Sequence, residues 1–282
     1  MTHHDDAARS AYWSQQMDAA ADFMDQAAEC ALEECGEPMV SLRQAVVEAG
    51  VEVTFSDRRY STGHKRIYYL RQGLVPGVVQ AAREMNQRGW RMHIEDGYRT
   101  LDMQTNVGRQ PAVFDRILES TRRELGGKLP TPEFFLKRYR VLTALYPKVG
   151  THTSGSAIDI SVFDLKTGQE IDRGAPYLEM SELTPMDSPF VSDEAKANRQ
   201  QITQIMARGG LLAYPFEFWH YNGGDTYETL LLQNGPAKYG PINWSPGEER
   251  IVPVADPMAP LNTPEDMQRL IEEALTRAAT KS

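Results

Sequence analysis

The chain has 282 residues, 41% of them hydrophobic, enough to bury a sizeable core in one large domain or one domain with extensions. A formal net charge of −9 with no block of Lys or Arg argues against nucleic acid and against an anionic membrane surface as partners. No apolar run approaches a bilayer span, and the start Met1-Thr-His-His-Asp-Asp6 lacks the charged opening and apolar core of a secretory signal, so a cytoplasmic protein is expected.

Apolar side chains at Trp13, Met17, Ala20, Met24, Ala27 and Ala31 recur at three- and four-residue spacing, which predicts an amphipathic helix over 8–35 that packs on the parent domain. The cysteines, Cys30 and Cys35, would lie on different faces of it, so two reduced thiols are expected. Val51-Glu-Val-Thr-Phe55 and Arg66-Ile-Tyr-Tyr-Leu70 read as strands. Pro76 opens a helix to about Arg88, closed by Gly89, and Trp90 to Glu95 alternates as a half-buried strand leading into Asp96-Gly-Tyr-Arg99. Helices follow over 111–125 and 131–145. The second half of Gly150-Thr-His-Thr-Ser-Gly-Ser-Ala-Ile-Asp159 and its continuation to Phe163 is strand-like, with a hairpin turn at Lys166-Thr-Gly168. Residues 172–191 read as a long loop. Ser192 caps a helix over 193–208; Leu211 to Tyr214 and Phe216 to Tyr221 read as short strands around Pro215. A Pro- and Gly-rich tail precedes a last helix over 264–279, capped by Thr263. This irregular mixture predicts an α+β fold with a mainly antiparallel central sheet flanked by helices.

Three clusters carry chemistry. His152 on a loop and Asp159 on the next strand could converge on one ion, with small residues between them to let the backbone turn, although a His and an Asp at this spacing are often unrelated. In Phe216-Glu-Phe-Trp-His-Tyr221, a carboxylate among aromatics would have a raised pKa, suited to a base near neutral pH; a surface Glu and a core His are the alternative. Residues three apart on a regular strand face opposite ways, so a shared site for Glu217 and His220 requires a bend. Arg99 could hold a developing oxyanion, or simply close a turn by pairing with Asp96. Taken together, two His and one Asp around zinc leave a fourth position for water, with a Glu to take its proton and an Arg to stabilise the oxyanion. His93 is read as structural and His64 is given no role.

At these residues the sequence resembles the D-alanyl-D-alanine dipeptidases of the vancomycin-resistance type, within the wider group of lysostaphin-like and D-Ala-D-Ala metallopeptidases and the hedgehog domain. The shared pattern is a His, then Gly-Ser-Ala-Ile-Asp159, then Glu217-Phe-Trp-His-Tyr221; the likeness also runs through Asn198-Arg-Gln200 and Ala213-Tyr-Pro215, and covers roughly residues 50–222. It implies one zinc per chain held by His152, Asp159 and His220, a general acid/base at Glu217, a transition-state role for Arg99 and a substrate-lining Tyr60. Gly150 stands where the family has Ser. The acid that grips a dipeptide's amino terminus falls on Leu178, with Glu179 one place away as the candidate substrate-binding residue. The implied organisation is an N-terminal helical extension over 1–49, a catalytic domain over 50–222 and a C-terminal extension over 223–282.

The expected function is zinc-dependent hydrolysis of a small D-amino-acid dipeptide. A D,D-carboxypeptidase or endopeptidase acting on peptidoglycan peptides is the alternative, and a non-catalytic zinc-binding module is the third reading.

Overall fold

The computed structural model describes residues 3–59 and 63–280. In chain order its elements begin with α1 (His3–Glu29), β1 (Met39–Ser41), α2 (Leu42–Glu48), β2 (Val53–Phe55), β3 (Tyr69–Arg71), α3 (Val75–Gln87) and β4 (Trp90–Asp96). Next come α4 (Leu101–Val107), α5 (Pro111–Glu124), α6 (Pro132–Thr143), β5 (Ala157–Asp164) and α7 (Asp193–Arg208). The chain closes with β6 (Leu212–Ala213), β7 (His220–Asn222), α8 (Thr226–Leu232), β8 (Ile242–Asn243), β9 (Val252–Pro253) and α9 (Pro264–Ala279).

Local chemistry sets many of these ends. Proline in the first turn opens α3, α5, α6 and α9, where its missing N–H costs nothing. Hydroxyl caps accept from the first-turn amides of α2, α4, α6 and α7, and Thr263 with Asp266 forms a reciprocal capping box on α9.

The central sheet has five strands in the order β2-β4-β5-β7-β6. Only β2–β4 is parallel; β4–β5, β5–β7 and β6–β7 are antiparallel, as the sequence predicts for the fold class. One face is the core: Met92, Ile94, Ile158, Ile160 and Val162 pack with Val78, Ala82 and Met85 of α3 and Ile202, Ile205 and Met206 of α7. Where α3 meets the end of α7 the backbones nearly touch. A Cβ on Gly77 would lie 1.7 Å from the Gly209 carbonyl oxygen, so only glycine fits there. Strand alternation then turns Asp159 and Ser161 to the opposite face.

That opposite side is shared with a helical layer. Phe114 and Ile117 of α5, Phe135 and Tyr139 of α6 and Met267, Leu270 and Ile271 of α9 form one cluster. Trp13, Met17, Ala20 and Ala21 of α1 pack against Val141, and Met24 and Ala27 against Tyr214 and Tyr227. Ion pairs Asp18–Arg138 and Asp25–Arg140, both at 2.8 Å, run alongside. A fully buried large apolar side chain contributes about 1.5–3 kcal/mol, whereas a pair with an exposed carboxylate, such as Asp25–Arg140, contributes about 0–1 kcal/mol. Packing is therefore the main hold on α1.

Three local expectations are corrected. The first helix stops at Glu29 instead of 35. Residues 31–35 are drawn into pairing with Ala237 and Lys238, and Glu34 clamps the buried Arg71 with both oxygens at 2.9 Å. Cys30 and Cys35 thus lie beyond the helix, and both are free thiols. Phe216 to Trp219 is a turn, not a strand, and β7 starts only at His220. The short helices α2, α4 and α8, seven residues each, carry too little periodicity to be read from sequence.

Candidate metal centre and active-site cleft

Strand register assembles the site. Asp159 on β5 pairs with His220 on β7 and with Asp96 on β4, and directly opposed residues share a face. Simple alternation would put Asp96 on the core side with Ile94. The register shifts between Ile94 and Asp96, so the bulge at Glu95 turns Asp96 onto the side of Asp159. His152 arrives from a 3-10 turn over Thr151–Ser154, which ends at Gly155 with φ +66°. A Cβ there would also meet Met39 at 2.6 Å.

All three expected metal ligands are buried, with donor atoms within 4.8 Å of one another. His152 Nε2 lies 3.3 Å and His220 Nδ1 3.1 Å from the same oxygen, Asp159 Oδ1. His152 Nδ1 donates to the Gly97 carbonyl at 2.7 Å, which fixes the tautomer and leaves a lone pair on Nε2. That Nε2 is buried with no hydrogen-bond partner. In the neutral ring that lone pair faces a carboxylate oxygen, an arrangement that a bound cation would satisfy. His220 Nε2 lies 2.9 Å from the Thr151 hydroxyl; donating there frees Nδ1 in the same way. The other carboxylate oxygen, Oδ2, accepts from Tyr177 at 2.9 Å and from Arg99 Nη2 at 3.4 Å.

Burial pushes the Asp159 carboxyl up, but the two imidazoles outweigh it and hold it well below its usual value. Burial lowers the pKa of His220, which favours the neutral ring that a metal ligand must be. Two imidazoles and one carboxylate, each with a second partner, fit a single zinc with coordination positions to spare.

Glu217 sits on the turn that follows Pro215, with its amide bonded to the Tyr214 carbonyl at 3.3 Å and its own carbonyl to the His220 amide at 3.2 Å. This is the bend that brings Glu217 and His220 into one cleft. Its carboxyl is pushed up to about 8, first by desolvation and then by Asp159, with Arg99 and the Trp219 side chain opposing. Its side chain is half-buried, so the protein surrounds it while the cleft keeps it reachable.

Arg99 makes the turn-closing pair with Asp96 that the sequence left as one alternative. It donates to Asp96 Oδ2 at 2.9 Å and also lines the cleft, reaching Asp159 and, at 3.2 Å, Gln104 Oε1. Asp96 in turn holds Arg66 at 2.8 Å. Tyr60 lies outside the described residues. Leu178 lines the cleft and the neighbouring Glu179 does not; Gly150 lines it too. His93 bonds Thr54 at 2.8 Å and His64 pairs with Asp102 at 3.5 Å, both away from the metal ligands. Sequence reasoning missed Tyr177, Gln104, Thr151, Tyr214 and Tyr227 in the cleft. Lone tyrosines and polar residues on predicted loops and helices give no spacing signal.

Residues 136–234 match the peptidase family described as D-ala-D-ala dipeptidase; His152, Asp159, Glu217 and His220 fall inside that stretch and Arg99 outside it. A D-alanyl-D-alanine dipeptidase of Synechocystis is 24% identical over 69% of this chain and 85% of its own length. Those of Enterococcus faecium and Escherichia coli are 34% and 36% identical, each over 25% of this chain, which spans 35% and 36% of their lengths. Among solved structures, that of the LdcB LD-carboxypeptidase aligns with a TM-score of 0.36 and 17% identity, covering 73% of this chain and 78% of that one.

Proposed function

We propose that this chain is a member of the D-Ala-D-Ala dipeptidase family of metallopeptidases and hydrolyses D-alanyl-D-alanine-type dipeptides with one zinc ion held by His152, Asp159 and His220. The observation that carries this reading is the bare, buried Nε2 of His152 turned toward Asp159. Zinc held there supplies Lewis acidity, which acidifies water and polarises a carbonyl.

The chain's own groups do the rest. The Glu217 carboxylate takes a proton from the attacking water as its oxygen bonds to the carbonyl carbon. When the carbon–nitrogen bond breaks, Glu217 returns that proton to the leaving amine. Desolvation raises its pKa, which strengthens the carboxylate as a base. The Arg99 guanidinium, fixed by Asp96 and Gln104, stabilises negative charge on the carbonyl oxygen. Tyr177 and Arg99 hold the second oxygen of Asp159 and so orient the first toward the imidazoles. Within this proposal residues 50–222 are the catalytic domain, and α1 from the N-terminal extension closes the cleft with Met24.

Screening D,D-, L,D- and L,L-dipeptides with zinc-loaded protein tests the reading. Release of D-alanine from D-Ala-D-Ala is expected; no release from any D,D-dipeptide would remove it. Leu178, in the cleft where the resemblance places an acid, favours a second reading: a carboxypeptidase on N-acylated wall peptides. Comparing free with N-acylated D-Ala-D-Ala separates the two, because only a dipeptidase requires the free amine.

A further inference from the structure

Tyr214 is 2% exposed and its hydroxyl has no hydrogen-bond partner. It lines the same cleft as Glu217, His220 and Thr151. Buried hydroxyls are almost always satisfied, and a phenylalanine would fill the same space without stranding a polar atom. The ring has no freedom to seek a partner. It stacks on Tyr227 at 5.0 Å, meets Phe23 at 5.6 Å and stands edge-on to His220 at 5.7 Å. Its backbone is pinned at both ends of the catalytic turn, the amide to the His220 carbonyl at 3.0 Å and the carbonyl to the Glu217 amide at 3.3 Å. The hydroxyl is thus buried and held at a fixed place relative to both Glu217 and His220. In the same cleft the other stranded atom, His152 Nε2, is explained by the metal.

We infer that the Tyr214 hydroxyl is a further catalytic group, held unpaired in the free protein to donate a hydrogen bond to an oxygen of the bound peptide. The inference rests on the peptidase reading above. In the free protein the stranded hydroxyl is a liability; in the complex it gains its partner, so stability and turnover should respond in opposite directions to its removal.

The test compares zinc-loaded wild type with Tyr214→Phe on D-Ala-D-Ala and on its N-acylated form, measuring kcat, KM, zinc content and Tm. We expect kcat/KM to fall by about tenfold to a hundredfold with zinc retained and Tm unchanged or higher. Unchanged kcat/KM with a higher Tm would overturn the inference and leave the peptidase reading intact. A loss of activity accompanied by a lower Tm or lost zinc would assign the hydroxyl a structural role and overturn it too. A wild type that hydrolyses neither substrate would remove the peptidase reading and this inference with it.

Discussion

His152 Nε2 faces Asp159 Oδ1 across 3.3 Å while its ring's other nitrogen is committed to the Gly97 carbonyl. A cation bound between the two atoms would satisfy both of them at once. Removing either imidazole should therefore abolish tight binding rather than weaken it slightly. His152→Ala and His220→Ala are expected to lose zinc on dialysis, while wild type keeps one equivalent. Wild-type occupancy in either variant, measured by metal analysis, would show that the ligands are assigned wrongly.

Glu217 is not a ligand in this account, so Glu217→Gln should keep zinc and lose about 10²- to 10⁴-fold in kcat, the usual contribution of a general acid–base group. Its titration predicts a stability effect of definite sign in the metal-free protein. The folded pKa is raised, to about 8, so the fold holds a proton that the unfolded chain releases at about 4.3. That preference is neutral below the unfolded value and becomes a growing cost as pH rises toward 8. Metal-free wild type should accordingly lose Tm between pH 5 and 8 relative to Glu217→Gln. Parallel Tm profiles for the two proteins would contradict the placement of this carboxyl.

Arg99 is tied to Asp96, Gln104 and Asp159 at once, a fork that an ammonium cannot reproduce. Arg99→Lys should lower kcat by about 10²- to 10³-fold, the scale of a lost oxyanion donor, with zinc content unchanged. Gln104→Leu, which frees the guanidinium on one side, should give a smaller loss in the same direction. Steady-state kinetics with full activity in Arg99→Lys would exclude the oxyanion role.

The N-terminal helix offers a test of packing against charge. Met17→Ala, at a fully buried position, should cost about 2–5 kcal/mol, whereas Asp25→Ala, which removes an exposed partner of Arg140, should cost about 1 kcal/mol or less. Urea unfolding of the two variants orders them. A larger effect for Asp25 would mean that ion pairs, not burial, hold α1.

Much of this was legible in the chain. The capped helices α7 and α9, the second also opened by Pro264, lie within a residue of their signals because those signals are local hydrogen-bond chemistry. His152, Asp159, Glu217 and His220 stood out as a set through the motifs they share with the dipeptidases, whereas each cluster alone left an ordinary structural alternative open. What was hidden depends on partners distant in sequence. The end of α1 is set by Ala237, Lys238 and Arg71, and the direction of Asp96 by a bulge that alternation does not reveal. Tyr177 reaches Asp159 only because an irregular loop folds back over β5, and nothing in its neighbours forecasts that.

The most direct test of the metal centre is a crystal of the zinc-loaded protein measured on both sides of the zinc absorption edge. One anomalous peak is predicted, about 2.0–2.2 Å from His152 Nε2, His220 Nδ1 and an oxygen of Asp159, with Glu217 beside it but not bound. A peak elsewhere, or none at these three side chains, would contradict the account.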